Sequence, residues 1–344
     1  MKLCLLTPLA LLCVAFLNPV CVAENKEKEA ADLIEHAKQL SDIRGPGAPG
    51  FQMKATIKII NDNGTSVEGS YTENWVSPET WRTEITAGDF RQTEVVKGRR
   101  LWALSTMPLL PDFISPRITY DHEHLLAFHL DGNWLVQKSW KPSKLEDRTS
   151  ASWSLRCIVV NNPFGWKSEL CFDRPSGAIV AQSSTKKDAP YACTYTNYQK
   201  FDGKLFPRSI QCFREGKTAL QASVIELKHL SSDPALFTPM PGARELSHCP
   251  SGGTSPYAQF VEQMSFPPNK FVVVSFTVGA DSKPRDMTVL QSSGGSLDEY
   301  AMSHLKRWIF VPATCDGKAV DSEMQLMLPN NGPVIHGVDT IVRP

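Results

Sequence analysis

The chain has 344 residues, 42% hydrophobic and 21% charged, which is an ordinary globular composition and long enough for two packed domains. Its 36 basic and 36 acidic residues cancel. That excludes the cationic surplus by which nucleic-acid binders displace phosphate counterions, and it removes any strong electrostatic attraction to anionic lipid.

The first residues read as a secretory signal over 1–23. Lys2 is the positive start, 3–17 is apolar apart from Thr7 and the cysteines, and Cys21-Val22-Ala23 is a small-x-small cleavage site before the charged run from Glu24. Pro8 interrupts an apolar run already short for crossing a bilayer, and Leu12 and Val20 stand where a lipoprotein box needs a small residue. The expected product is an exported, soluble protein.

Export places Cys157, Cys171, Cys193, Cys212, Cys249 and Cys315 in an oxidising compartment, where an even number points to bridges. The turn signal Asn161-Asn162-Pro163-Phe164-Gly165 lies midway between Cys157 and Cys171, and Phe201-Asp202-Gly203-Lys204 lies near the midpoint between Cys193 and Cys212. Residues equidistant from a hairpin turn face each other across it. The expected pairs are therefore Cys157–Cys171, Cys193–Cys212 and, by elimination, Cys249–Cys315. No C-x-x-C spacing suggests zinc instead.

Residues 24–40 predict an amphipathic helix with Ala30, Leu33, Ile34, Ala37 and Leu40 on one face, ending before Gly45-Pro46-Gly47. The period then changes to two. Phe51, Met53, Ala55, Ile57 and Ile59 alternate with polar residues, Asn63-Gly64 turns the chain, and Val67, Gly69, Tyr71 and Trp75 continue the alternation. Asn63-Gly64-Thr65 also spells a glycosylation sequon, but the turn accounts for it. Further strands are predicted at 81–85, 92–96, 100–104, 153–160, 168–173, 179–183, 195–198, 207–213 and 219–227, forming one antiparallel meander. Between 107 and 147 the pattern weakens, with a short helix over 122–130.

Several runs in this stretch carry a family resemblance. Trp81-Arg82-Thr83-Glu84 followed by Val96-Lys97-Gly98-Arg99-Arg100-Leu101-Trp102, then Leu170-Cys171-Phe172-Asp173-Arg174-Pro175-Ser176-Gly177, and then 198–207, resemble the LolA/LolB lipoprotein-carrier superfamily. The resemblance covers roughly 27–240. It implies an unclosed antiparallel half-barrel with a helix, spanning 24–240, in which some family members hold acyl chains. On that basis Trp75, Trp81, Trp102 and Trp134 would line a cavity for lipid or another apolar ligand. They read equally as ordinary core.

Pro234, Pro239, Pro241, Gly242, Pro250, Gly252, Gly253 and Pro256 mark a linker, set at 241–255. Beyond it lie a strand at 271–278, a turn at 279–284, a second strand at 286–291 and a helix opened by Ser296, with Glu299 completing a capping box. Leu297, Ala301, Leu305 and Trp308 make its buried stripe, and a last strand is predicted at 319–328. Ser292-Ser293-Gly294, Leu297-Asp298, Ala301, Trp308-Ile309-Phe310-Val311-Pro312-Ala313 and Asp316-Gly317-Lys318-Ala319-Val320 fall in the order and spacing of the TonB C-terminal domain, which this segment resembles. The resemblance implies a small α+β domain at 256–335, followed by a tail at 336–344. The fold class expected for the whole chain is mainly β with an α+β C-terminal domain.

No chemistry-bearing motif emerges. There is no phosphate-cradling loop, nucleophile elbow or H-E-x-x-H, and Ser292-Ser293-Gly294-Gly295-Ser296 lacks the Lys-Ser/Thr of a P-loop. His122, His124 and His129 read as a polar helix start rather than a metal site. No catalytic, metal or cofactor residues are expected. The two resemblances together imply a non-enzymatic periplasmic binding protein. Its last strand, through Met324, Gln325, Leu326 and Met327, would pair with an extended peptide of an outer-membrane receptor or other envelope protein. The alternative, TonB-type energy transduction, needs a membrane anchor and a long Pro-rich spacer. A cleavable signal and a short linker speak against it.

Overall fold

The computed structural model describes residues 14–45, 47–60, 64–106, 141–161, 167–184, 191–231, 233–250, 253–254, 256–260, 262, 264–268, 270–329 and 334–338. The helix expected at 122–130, its histidines and Trp134 lie outside these residues. The chain divides into two compact units, 1–43 with 128–218, and 44–127 with 219–344. The mainly β class and the unclosed antiparallel sheet are both observed. Among the described residues there are two α-helices, and no helix is long and apolar enough to cross a membrane.

The first unit is built from α1 (Val14–Ser41) and six strands, β6 (Lys141–Thr149), β7 (Ser154–Asn161), β8 (Lys167–Asp173), β9 (Ile179–Ser184), β10 (Tyr191–Phe201) and β11 (Lys204–Arg214). Each strand pairs antiparallel with its sequence neighbour. The sequence pattern had weakened over β6. This strand is the outer edge of the sheet, and its charges and Pro142 suit an edge, where they deter pairing with other chains.

Helix α1 buries Ala30 and Ala37, with Leu33, Ile34 and Leu40 half-buried beside them, the face that the helical period predicts. The helix lies against β6 and β11. Glu29 on the helix accepts from the Arg156 Nε at 3.0 Å, and Arg156 also pairs with Asp147 at 3.1 Å. At the other end of the helix the Lys204 ammonium donates to the Gln39 carbonyl, one of the terminal carbonyls that the helix leaves unpaired.

The second unit begins with a sheet in the order β13-β5-β4-β3-β2-β1-β12, comprising β1 (Phe51–Ile60), β2 (Ser66–Ser77), β3 (Thr80–Ala87), β4 (Phe90–Lys97), β5 (Arg100–Ser105), β12 (Lys217–His229) and β13 (Arg244–Ser247). Strict alternation puts Phe51, Met53, Ala55, Ile57 and Ile59 on the buried face, each 4% exposed or less. Burying each of the larger ones contributes about 1.5–3 kcal/mol. On the other face Lys54 meets Glu226 at 3.2 Å and Lys58 meets Glu68 at 3.1 Å, exposed pairs that add little stability.

Gly69 shows why β2 needs a glycine in mid-strand. A Cβ built there would lie 2.0 Å from the Thr86 carbonyl oxygen of β3, a backbone atom that cannot swing aside. Gly69→Ala is expected to push β2 and β3 apart and to destabilise by about 2–3 kcal/mol. A thermal melt within 1–2 °C of the parent, on the order of experimental error, would contradict this.

The same unit contains β14 (Gly253–Thr254), β15 (Tyr257–Phe260), β16 (Phe271–Val278), β17 (Pro284–Gln291), α2 (Gly295–Leu305), β18 (Ile309–Val311), β19 (Ala313–Cys315), β20 (Lys318–Val320), β21 (Ser322–Pro329) and β22 (Val334–Val338). Its main sheet runs β17-β16-β21-β22. Val272, Val274, Phe276 and Val278 of β16 and Met324, Leu326 and Leu328 of β21 meet Ala301, Leu305, Trp308 and Phe310 in one core.

Two local expectations are corrected. The single strand predicted at 319–328 is two, because the chain breaks at Asp321. Its carboxylate accepts from the Ala280 N–H and from Arg285, both at 2.8 Å, and β20 pairs with β19 while β21 pairs with β16. The Ser296–Glu299 capping box is also not formed. The helix begins at Gly295, and Gly294 before it has φ 119°, a region that side chains do not tolerate. No side chain caps this end; Asp298 in the first turn instead reaches back to the preceding loop, accepting from the Ser293 N–H at 3.2 Å and the Ser292 hydroxyl at 2.6 Å. Ser293 in turn donates to the Phe271 carbonyl at 2.6 Å, tying the helix entrance to the start of β16.

Candidate functional site

The three disulfides are Cys157–Cys171, Cys193–Cys212 and Cys249–Cys315, the pairs expected from the turn midpoints and by elimination. The two hairpin bridges lie on opposite faces of the first unit's sheet. Register places Cys193 and Cys212 with Gln182, Leu170 and Ile158, the face shared with Arg156 and hence with α1. Cys157 and Cys171 point the other way. The third bridge, with Cys249 and Cys315 at 1% and 7% exposed, joins the end of β13 to β19.

The stretch expected as linker is held down around that bridge. β13 pairs with β5 from Arg244↔Ala103 to Ser247↔Arg100. His248 packs edge-on against Trp81, with ring centroids 5.9 Å apart, and its Nε2 lies 3.0 Å from the Pro78 carbonyl. β14 pairs with β19 at Gly253↔Cys315. Arg244 of β13 pairs with Glu323 of β21, which also accepts from the Ser275 hydroxyl, and Arg99 reaches Asp316 at 2.9 Å.

The tryptophans proposed as cavity lining are divided by the strand period. Trp75 and Trp81 are register partners on the buried face of the second unit's sheet. Trp75 is 5% exposed and stacks on Phe51, with centroids 5.6 Å apart, and half-buried Trp81, like Leu246, packs on the cluster of Val96 and Leu101. Trp102 pairs with Val95, the neighbour of Val96, and so sits on the opposite face.

The buried face also carries charge that the alternation of the sequence does not signal. Glu73 lies between Tyr71 and Trp75 on β2 and shares their parity, 4% exposed. Arg44, just after α1, donates its Nε to Glu73 at 2.9 Å and makes a second, parallel contact through its Nη2. Tyr71 adds a hydroxyl donor at 3.1 Å, and the Arg44 guanidinium lies 5.2 Å from the Phe51 ring centroid. Glu94, 2% exposed, accepts from Gln92 at 2.6 Å and from Thr83 at 3.5 Å on the same face. This face is therefore apolar, with acids set into it that carry their own donors.

β21 contains the residues expected to form the peptide edge. Met324 and Leu326 are 2% and 1% exposed and point into the core, and Gln325 faces the other side at 8%. One edge of β21 pairs with β16 without interruption from Phe271↔Pro329 to Val278↔Ser322. The other edge takes up β22, with Gln325↔Val338 and Met327↔Val334 in register and an irregularity between them. Among the described residues, the two clusters with metal-type ligands are Cys157 with Glu169 and Cys171, and Cys249 with Cys315 and Asp316. Both have their sulfurs committed to disulfides, which leaves one carboxylate each.

The carboxy-terminal motifs are matched by a family. The family model of the Gram-negative bacterial TonB protein C-terminal region fits residues 271–328, from the first residue of β16 through Leu328 of β21. No curated protein matches the chain. Similar solved structures include a LolA superfamily protein from Nitrosomonas europaea, at 16% identity and TM-score 0.40 over 61% of this chain and 97% of the other. An outer membrane lipoprotein-sorting protein domain from Vibrio parahaemolyticus is similar at 11% identity and TM-score 0.40, covering 60% and 94%. The complex of MucA and MucB from Pseudomonas aeruginosa gives 12% identity and TM-score 0.29, covering 73% and 75%.

Proposed function

We propose that this chain is a non-enzymatic periplasmic interaction protein, delivered by a cleaved signal at 1–23. Its TonB-like sheet takes an extended peptide of an outer-membrane receptor or other envelope protein as an added strand along Met324, Gln325, Leu326 and Met327 of β21. Its half-barrel offers an apolar face to lipid. The observation that carries this reading is that β21 is anchored by its core-facing side chains while its outer edge accepts a strand. Main-chain pairing of that kind supplies affinity with little demand on sequence.

The test uses immobilised receptor segments presented to the full chain. A binding segment should lose its affinity when alternate backbone nitrogens are methylated, since pairing depends on those N–H groups. If no segment binds a protein shown by circular dichroism to be folded, the peptide role fails. In parallel, organic extraction of protein purified from its native envelope should release lipid in stoichiometric amount. An extract free of lipid would refute the half-barrel's share.

A further inference from the structure

The chain supplies its own strand to the edge on which the proposed partner would pair. Three observations suggest that this strand is a removable occupant rather than a permanent part of the sheet. The inner pairing of β21 is continuous over the eight residues of β16, whereas β22 has five residues and its register slips between Met327 and Gln325. A slipped ladder loses hydrogen bonds where it shifts. Gly337 stands inside β22, adding backbone entropy to its ordering and no side chain to pack. Finally, Met324, Leu326 and Leu328 anchor β21 in the core and its other edge is paired along β16, so its place does not depend on β22.

The opposite edge of the sheet is a poor substitute. β17 opens with Pro284, its pairing with β16 is interrupted twice, and Asp286 sits at φ 52°. Proline and bulges are what blunt an edge against added strands. The sheet thus has one serviceable acceptor edge, and the chain fills it with Val334, Ile335, His336, Gly337 and Val338.

We infer that β22 is an intramolecular competitor. It closes the β21 edge until a short, extended, largely apolar and β-branched segment of a partner displaces it. The inference rests on the edge-pairing reading above. It adds two things, the kind of sequence the edge prefers, which is one like β22 itself, and a threshold that a partner must overcome. A site open only part of the time binds with its intrinsic affinity reduced by the open fraction.

The experiment compares three proteins: the full chain, a chain ending at Asn330, and the full chain with Val338→Pro, which removes a backbone donor from β22 without shortening it. The probes are a synthetic peptide of residues 332–340 and the receptor segment found to bind, each titrated by calorimetry. Both probes should bind the shortened chain and the proline variant about tenfold or more tighter than the full chain, in line with an edge that is mostly occupied. Equal affinity of the receptor segment for all three would overturn the displacement while leaving edge pairing in place. If no segment of the receptor panel binds any of the three, each shown to be folded by its near-ultraviolet dichroism, edge pairing itself is overturned. Failure of the 332–340 peptide alone would overturn the claim that the edge prefers a β22-like sequence.

Discussion

Arg44→Ala is expected to lower the unfolding free energy by about 3–5 kcal/mol, because it leaves the Glu73 carboxylate charged in a site from which water is excluded. Both side chains are 6% exposed, and the arginine is the partner that meets both carboxylate oxygens. The pair itself adds much less, since desolvating two charges offsets most of their attraction. Replacing both, as Arg44→Met with Glu73→Leu, should therefore recover most of the loss, less about 1 kcal/mol for the acceptor that Tyr71 no longer has. Urea denaturation of the two single variants and the double variant decides the matter. Additive losses would show that the two residues act separately and would reject the buried pair as the cause.

The second large effect concerns the bridge between Cys249 and Cys315. Its sequence separation is 66, against 19 and 14 for the two hairpin bridges. In the chain-entropy account, removing it should destabilise by about 4 kcal/mol, and removing either hairpin bridge by about 3 kcal/mol. The hairpin cysteines are also already opposed by strand pairing, at Cys157↔Cys171 and Cys193↔Cys212, whereas only the two-residue β14 pairs alongside the long-range bridge. Alanine pairs at the three sites, compared by urea midpoint without reductant, should rank in that order. A hairpin bridge proving the most costly to lose would mean that local strand geometry, not loop closure, governs their contribution.

Much of this architecture can be read from residues one period apart. Phe51 to Ile59 alternate because one face is buried, and the hairpin cysteines can be paired because a turn equidistant from both fixes register. Other features depend on information that the local pattern does not carry. Glu73 and Glu94 have inward parity, but charge argues for the surface, and the arginine that overrides it for Glu73 lies 29 positions away. Leu101 and Trp102, as strand neighbours, face opposite ways, so residue type alone does not place Trp102 with Trp75 and Trp81. Ser296 and Glu299 spell a capping box, yet the N-cap is Gly294 at φ 119°, two residues earlier, and no side chain caps the helix there. β22 has Pro333 before it and Gly337 within it, residues that read as loop. Only the proximity of an unfilled strand edge makes them a strand.

The bridge between Cys249 and Cys315 also sets how the chain would carry tension. If the protein is held upstream of β13 and pulled from beyond β21, the shortest covalent route runs across the disulfide. The covalent route thus bypasses residues 250–314, and load reaches β16 among them only sideways, through its pairing with β21. The pull falls instead on β20 and β21 downstream and on the pairing of β13 with β5 upstream. Reduction would remove the shortcut and place the bypassed residues in series with the rest. Extension of the single molecule before its final rupture should then lengthen by the contour of that segment, roughly 3.3–3.6 Å for each residue released.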